Sequence, residues 1–261
     1  MKTPVHYLPA TMLAPPNPIT VNLIGAGGTG SQVLTALARM NLSMYELGHP
    51  GFQVTVWDDD VITGANLGRQ LFAKSELGLA KAVALINRTN RFFGTNWKAN
   101  ISKYTPKRIA GASLTISCVD TVSARLDIAK TLRSAVRQYG EYHRDCPKYW
   151  LDFGNDQFTG QVILATVGTL KQPKSKKYRP VGSLPFVTDL YGEELAKGEA
   201  TTNTPSCSLA EALEKQDLFI NSTLANMGSS LLWSLFRNGM TENRGFFLNL
   251  SDFRTQPLKV A

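Results

Sequence analysis

The sequence predicts an α/β fold, a doubly wound and mostly parallel sheet with helices on both faces. Three observations predict it. Short apolar runs alternate with stretches whose apolar residues recur at helical spacing, the order that a parallel sheet with crossover helices requires. One run, SLTISCVD (113–120), is almost continuously apolar, as expected of a strand buried on both faces. A glycine-rich turn, GAGGTG (25–30), stands between the first such run and the first helical stretch.

Residues 1–18 read as an irregular arm, because Pro15, Pro16 and Pro18 oppose helix. ITVNLIG (19–25) is the first strand. The helix SQVLTALARMNL follows, with Val33, Leu34, Leu37 and Ala38 at helical spacing. FQVTVWD (52–58) is a strand and GLAKAVALINRTNRFF (78–93) a helix. SLTISCVD leads into the helix SARLDIAKTLRSAV (123–136). YWLDFG (149–154) and GQVILATVG (160–168) are strands. The pattern then lapses over 168–206, a long crossover segment that is basic at first and rich in turn formers. A connection of this length inside a domain is usually functional. SLAEALEKQ opens with a capping box, Ser208 and Glu211. In the helix beyond it, positions 220, 224, 227, 231 and 235 share an apolar face that Gly239 terminates. GFFLNLSDF and PLKV supply closing strands, so residues 19–261 form a single domain.

The chain has 261 residues, of which 43% are hydrophobic, enough for a packed core. Its formal charge of +8 suits an anionic partner without choosing among nucleotide, nucleic acid and acidic protein. Three separated cysteines, Cys118, Cys146 and Cys207, offer no Cys-x-x-Cys pair, so no structural zinc is expected and a reducing compartment is. The three histidines form no cluster with ligand spacing. No apolar run approaches the roughly 18 residues of a membrane span. The amino terminus is broken by five prolines in its first 19 residues and has no signal-peptide core. A cytoplasmic protein that does not enter membranes is the expectation.

The chemistry concentrates at strand ends. Gly25 permits a tight turn, Gly27 and Gly28 let backbone N–H groups approach a phosphate at a helix amino terminus, and Gly30 completes the loop. No Lys-Ser or Lys-Thr follows, so this is not a Walker loop. Asp58 ends the second strand, where a carboxylate accepts hydrogen bonds from ribose hydroxyls, with Asp60 beside it. Asp59 reads as an acidic turn. Asn66, Arg69, Gln70 and Lys81 follow. Arginine offers a planar fork and lysine a mobile point charge, both suited to a polyphosphate. Taken alone, Lys81 also reads as an ordinary helix-surface lysine. Asp120 ends the strand SLTISCV. Gly25, Asp58 and Asp120 therefore lie at the same ends of three strands, the edge where ligands gather in open α/β sheets. A carboxylate opposite a triphosphate suits Mg²⁺, which makes Asp120 the candidate metal ligand and ATP with Mg²⁺ the candidate cofactors. A nicotinamide oxidoreductase is the alternative, but a bridging pyrophosphate needs fewer cations. A non-catalytic nucleotide-binding scaffold is another.

The pieces GAGGTG, DDD, NLGRQ, GLAK and CVDT, in this order over residues 20–130, resemble the ThiF/MoeB and ubiquitin-activating superfamily, a Rossmann-like fold. The tail CSLAEALEKQDLFINSTLANMGSSLLW is similar to ThiF-like proteins of the PRTRC genetic system of plasmids and mobile elements, which also includes a ubiquitin-like small protein. The resemblance implies ATP-dependent adenylation of the carboxyl terminus of a ubiquitin-like protein and a homodimer. It implies that Asp58 binds ribose, that Asn66, Arg69 and Lys81 bind phosphates, and that Asp120 holds the metal. Many relatives carry two zinc-binding Cys-x-x-Cys pairs, which this chain lacks, and the arginine that some supply in trans has no counterpart in residues 1–24. Cys207, before a helix, has two readings: a thioester-forming nucleophile with a lowered thiol pKa, or a small buried residue. Cys118 reads as packing. The basic run KQPKSKKYRP (171–180) either attracts an acidic partner or is a solvated loop. Nucleic acid is not the expected partner, since Tyr178 alone supplies an aromatic ring there.

Overall fold

The computed structural model describes residues 2–106, 110–140, 143–192 and 216–261. Eight strands form one mixed sheet. In chain order its elements are β2 (Ile19–Ile24), α2 (Gly28–Glu46), β3 (Phe52–Trp57), α3 (Lys81–Phe93), β4 (Lys98–Asn100), β5 (Leu114–Ser117), α4 (Val122–Tyr139), β6 (Tyr149–Asn155), β7 (Thr159–Thr166), α5 (Ile220–Asn238), β10 (Asn243–Asn249) and β11 (Arg254–Lys259). A second, three-stranded sheet joins β1 (Pro4–Tyr7), β8 (Arg179–Pro180) and β9 (Met240–Thr241).

The spatial order of the large sheet is β11-β10-β7-β6-β5-β2-β3-β4. From β2 the chain winds outward through β3 to β4, then returns to the other flank of β2 as β5 and β6, and all of these pairs are parallel. Strand order reverses between β2 and β5, which opens a crevice at their carboxyl ends. β7, β10 and β11 extend the sheet as antiparallel strands. Only Asp156, Gln157 and Phe158 separate β6 from β7, far too few for the crossover that a parallel pair needs.

The faces are covered unequally. Val33, Leu34 and Leu37 of α2, Leu85 and Ile86 of α3 and Leu224, Leu232 and Leu235 of α5 pack on Leu23, Val54, Ile116 and Leu151. On the other face Ile128, Ala129 and Leu132 of α4, with Phe186 and Val187, pack on Ile24, Trp57, Trp150 and Ile163. α5 ends where Gly239 adopts a left-handed conformation, φ +66°. Among the described residues no helix is long and apolar enough to cross a membrane.

The amino-terminal arm is more ordered than its prolines indicate. Pro4 opens β1 and Pro9 precedes α1 (Ala10–Leu13), positions where the missing N–H is tolerated. Pro15, Pro16 and Pro18 stay outside regular structure. The arm is anchored by the fully buried His6. Its Nδ1 lies 2.6 Å from the Val181 carbonyl oxygen, so it donates there, and Nε2, at 2.7 Å, accepts from the Tyr149 hydroxyl. Burial lowers the His6 pKa from 6.5. The unfolded chain therefore binds the extra proton first, and stability present above pH 6.5 is lost as pH falls through the folded value. Urea unfolding between about pH 7.5 and 5.5 is expected to show a smaller pH-dependent loss in His6→Asn than in the wild type. Identical pH dependence in the two would contradict this role.

Candidate functional site

The crevice at the β2/β5 reversal is a cleft of about 540 Å³. That volume is within the range of small-molecule sites. Gly25, Gly27, Gly28, Asp58, Asp60, Arg69, Gln70, Lys81 and Asp120 all line it.

The glycine loop follows β2 directly. Gly25 has φ +91°, and a Cβ there would lie 2.6 Å from the Cys118 carbonyl oxygen, so a side chain is excluded twice over. Gly30 lies outside the lining. A Cβ on it would collide with the Gly25 carbonyl oxygen, so its role is to let the first turn of α2 close on the loop. The amino terminus of this 19-residue helix thus faces the cleft.

Asp58 follows β3. Its Oδ2 accepts from the Ala26 N–H at 2.6 Å and its Oδ1 from the Asp60 N–H at 3.0 Å, so the carboxylate ties the glycine loop to the neighbouring strand. Burial pushes its pKa up from the ordinary carboxylate range, with the Ala26 N–H opposing. Lys81 is not a surface lysine. It is 7% exposed at the start of α3, and its Nζ meets Asp60 Oδ2 at 2.7 Å. Asp59 is exposed, 3.9 Å from Lys103.

Arg69 donates through Nη1 to Gln216 Oε1, while its Nε is buried without a partner among the described residues. Burial lowers its pKa from 12.5. Gln70 is 7% exposed, and its Oε1 is likewise buried without a partner among the described residues. A buried donor and a buried acceptor, adjacent in sequence and both in the cleft wall, are what a bound polar ligand would satisfy. Asn66 is placed differently. Its Oδ1 accepts from Thr63 N at 2.8 Å and Thr63 Oγ1 at 3.2 Å, so it shapes the turn before Arg69 and does not line the cleft.

Asp120 is exposed in the cleft wall just beyond β5 and forms no hydrogen bond or ion pair with a described residue. The loop that presents it is held from beneath by Arg125. Arg125 Nη2 donates to the Val119 carbonyl at 2.7 Å, and Nε lies 3.1 Å from Asp152 Oδ2. Arg125 is 4% and Asp152 1% exposed, and Ser117 Oγ donates to Asp152 Oδ1 at 2.6 Å. Cys118 also lines the cleft, and burial pushes its thiol pKa well up. Cys207, Ser208 and Glu211 lie outside the described residues. Among the described residues no three His, Cys, Asp or Glu side chains are grouped as a metal cage. Asp120, with its carboxylate unengaged, is still a fitting ligand for a magnesium that takes its other oxygens from phosphate and water.

Sequence reasoning missed two residues. Asn221, on the first turn of α5, accepts from Thr29 Oγ1 at 2.8 Å and donates to Gln216 Oε1 at 2.9 Å. Gln216 Oε1 thus joins Arg69 to the glycine loop. The one signal was a pair of amides flanking the helix start, with nothing in the pattern to say where that helix docks.

Several known proteins share this architecture. E. coli MccB solved with ATP superposes with a TM-score of 0.59 at 14% identity, over 93% of this chain and 64% of that one. The microcin C7 biosynthetic enzyme MccB in complex with N-formylated MccA gives 0.58 at 14%, over 93% and 65%. PaaA gives 0.57 at 12%, over 93% and 64%. At such identities the likeness shows the fold, and the chain spans about 64% of the length of these structures. No curated protein matches the chain in sequence. The family model for ThiF matches residues 17–259, and the chain belongs to the ThiF family.

Proposed function

We propose that this chain is an ATP-dependent adenylating enzyme that acts on the carboxyl-terminal carboxylate of a ubiquitin-like small protein, within a PRTRC-type system. The observation that carries the reading is the convergence of Asp58, Arg69, Lys81 and Asp120 on one cleft beside the glycine loop, with Arg69 Nε unsatisfied among the described residues. Membership of the ThiF family supports it, and the MccB structures hold ATP and the peptide MccA.

In this reading the loop amides of Gly27 and Gly28 and the amino terminus of α2 cradle phosphates. Asp58 accepts from the ribose. Arg69 and Lys81 lie on the polyphosphate side, where their charge offsets that which develops on the leaving pyrophosphate. A carboxylate oxygen attacks the α-phosphorus, the bond to the bridging oxygen breaks, and that oxygen leaves with pyrophosphate. Acyl-adenylate is the product and no proton is transferred. Magnesium held by Asp120 would supply further neutralisation of phosphate charge. Cys207 is the proposed thiol for a later transfer, and a homodimer the proposed assembly.

ATP–pyrophosphate exchange tests this. Labelled pyrophosphate is expected to enter ATP with a ubiquitin-like protein that ends in an intact glycine, and not with the same protein lacking that residue. Cys207→Ala is expected to spare exchange and remove any thiol-sensitive conjugate. ATP binding without exchange on any carboxylate would leave a scaffold instead of an enzyme.

A further inference from the structure

The basic run 171–179 is not a loose loop. Leu170 N donates to the Gly182 carbonyl at 2.8 Å, so the ends of the segment meet and close it. Gln172 clamps it to β1, its Oε1 accepting from Tyr7 N at 2.8 Å and its Nε2 donating to Tyr7 O at 3.2 Å. β8 pairs with β1, Arg179 N donates to Thr3 O at 2.9 Å, and His6 bonds to Val181 beneath. Lys2 is brought in from the arm, its Nζ 3.3 Å from the Ser175 carbonyl oxygen.

The result is a ledge on which Lys2, Lys171, Lys174, Lys176, Lys177 and Arg179 are all exposed. None of the six pairs with an acidic side chain among the described residues. Lys177 lies over the Tyr178 ring, 5.0 Å from its centre. Glu242 is the acid whose field reaches Lys177. No Asp or Glu occurs in the sequence between Asp156 and Asp189. Six cations here compare with an excess of eight over the whole chain, so the net charge is concentrated rather than spread.

We infer that this ledge is a docking surface for the phosphate backbone of a nucleic acid. Its composition decides against a protein partner. Protein interfaces are depleted in lysine and built around apolar and aromatic anchors, whereas nucleic-acid interfaces are strongly positive and polar. The expectation from sequence turned on the scarcity of aromatic rings, which single-strand stacking requires. Backbone contacts to a duplex need none. The ledge is also separate from the cleft. α5 begins at the glycine loop through Asn221 and ends beside β1, where the Gly239 carbonyl accepts from Leu8 N at 2.9 Å. Its 19 residues put about 28 Å between the glycine loop and the Gly239 end of the helix. None of the six ledge cations lines the cleft.

The test uses the full chain and fluorescently labelled duplex DNA of arbitrary sequence, with duplex RNA and polyglutamate alongside, titrated over a range of salt. The wild type is expected to bind both duplexes, with affinity falling steeply as salt rises. The triple variant Lys174→Gln, Lys176→Gln, Lys177→Gln is expected to lose about tenfold or more. Its salt slope is expected to become shallower by up to about 2.7, at roughly 0.9 for each phosphate that a lysine no longer neutralises. Its ATP binding and far-UV circular dichroism are expected to match the wild type, which separates this result from misfolding and from failure of the cleft. Absence of duplex binding by the wild type, equal binding by the variant, or tighter binding of polyglutamate than of either duplex would each overturn the inference, the last in favour of an acidic protein.

Discussion

Asp120→Ala is expected to lower ATP–pyrophosphate exchange by about 10²- to 10³-fold or more while changing stability by no more than about 0.5 kcal/mol. The two effects separate because of where the residue stands. Asp120 is exposed at the carboxyl end of β5 and engages no described side chain, so its removal orphans no donor among the described residues. In the proposed reaction it is the ligand of a metal that neutralises phosphate charge, and that contribution is felt in the transition state. Exchange at the wild-type rate, in a variant that melts like the wild type, would remove Asp120 from the chemistry.

Arg125→Met is expected to destabilise the fold by about 3–5 kcal/mol in denaturant unfolding, because it leaves the Asp152 carboxylate buried and unpaired. Arg125 and Asp152 are 4% and 1% exposed, so water cannot replace the lost partner. Replacing both, Arg125→Met with Asp152→Leu, is expected to recover much of the loss, since a buried ion pair is often no more stable than the apolar pair that fills its volume. The consequence reaches the cleft, because Arg125 also holds the Val119 carbonyl next to Asp120. Loss of less than about 1 kcal/mol in the single variant would show that water or a neighbouring group compensates the charge.

Much of the fold was legible because its signals are local. The apolar runs 19–25, 52–58 and 113–120 became β2, β3 and β5, and the carboxylates that end two of them line the cleft. Gly25 was legible for the same reason, since a turn with positive φ must be glycine or nearly so. The rest depends on partners distant in the chain. β1 is a strand because Arg179–Pro180 and Met240–Thr241 flank it, and nothing near residue 4 announces them. Lys81 and Asn66, both expected at the phosphates, are placed differently. The lysine, which alone resembled a surface residue, is buried in the cleft, while the asparagine is engaged by Thr63. Asp152 carried a readable signal, a carboxylate inside an apolar strand, but its partner looked like any helical arginine. The three residues between β6 and β7 likewise held the antiparallel turn in plain view.

The proposed chemistry rests on a cleft that grips a triphosphate through Arg69 and Lys81. Calorimetric titration with ATP–Mg²⁺ and with AMP, on the wild type and on Arg69→Ala and Lys81→Met, tests that most directly. The wild type is expected to bind ATP at least about tenfold more tightly than AMP, a margin of about 1.4 kcal/mol, and each variant to lose most of that margin while keeping its affinity for AMP. Equal affinity for the two nucleotides in the wild type, or an undiminished preference for ATP in both variants, would contradict it.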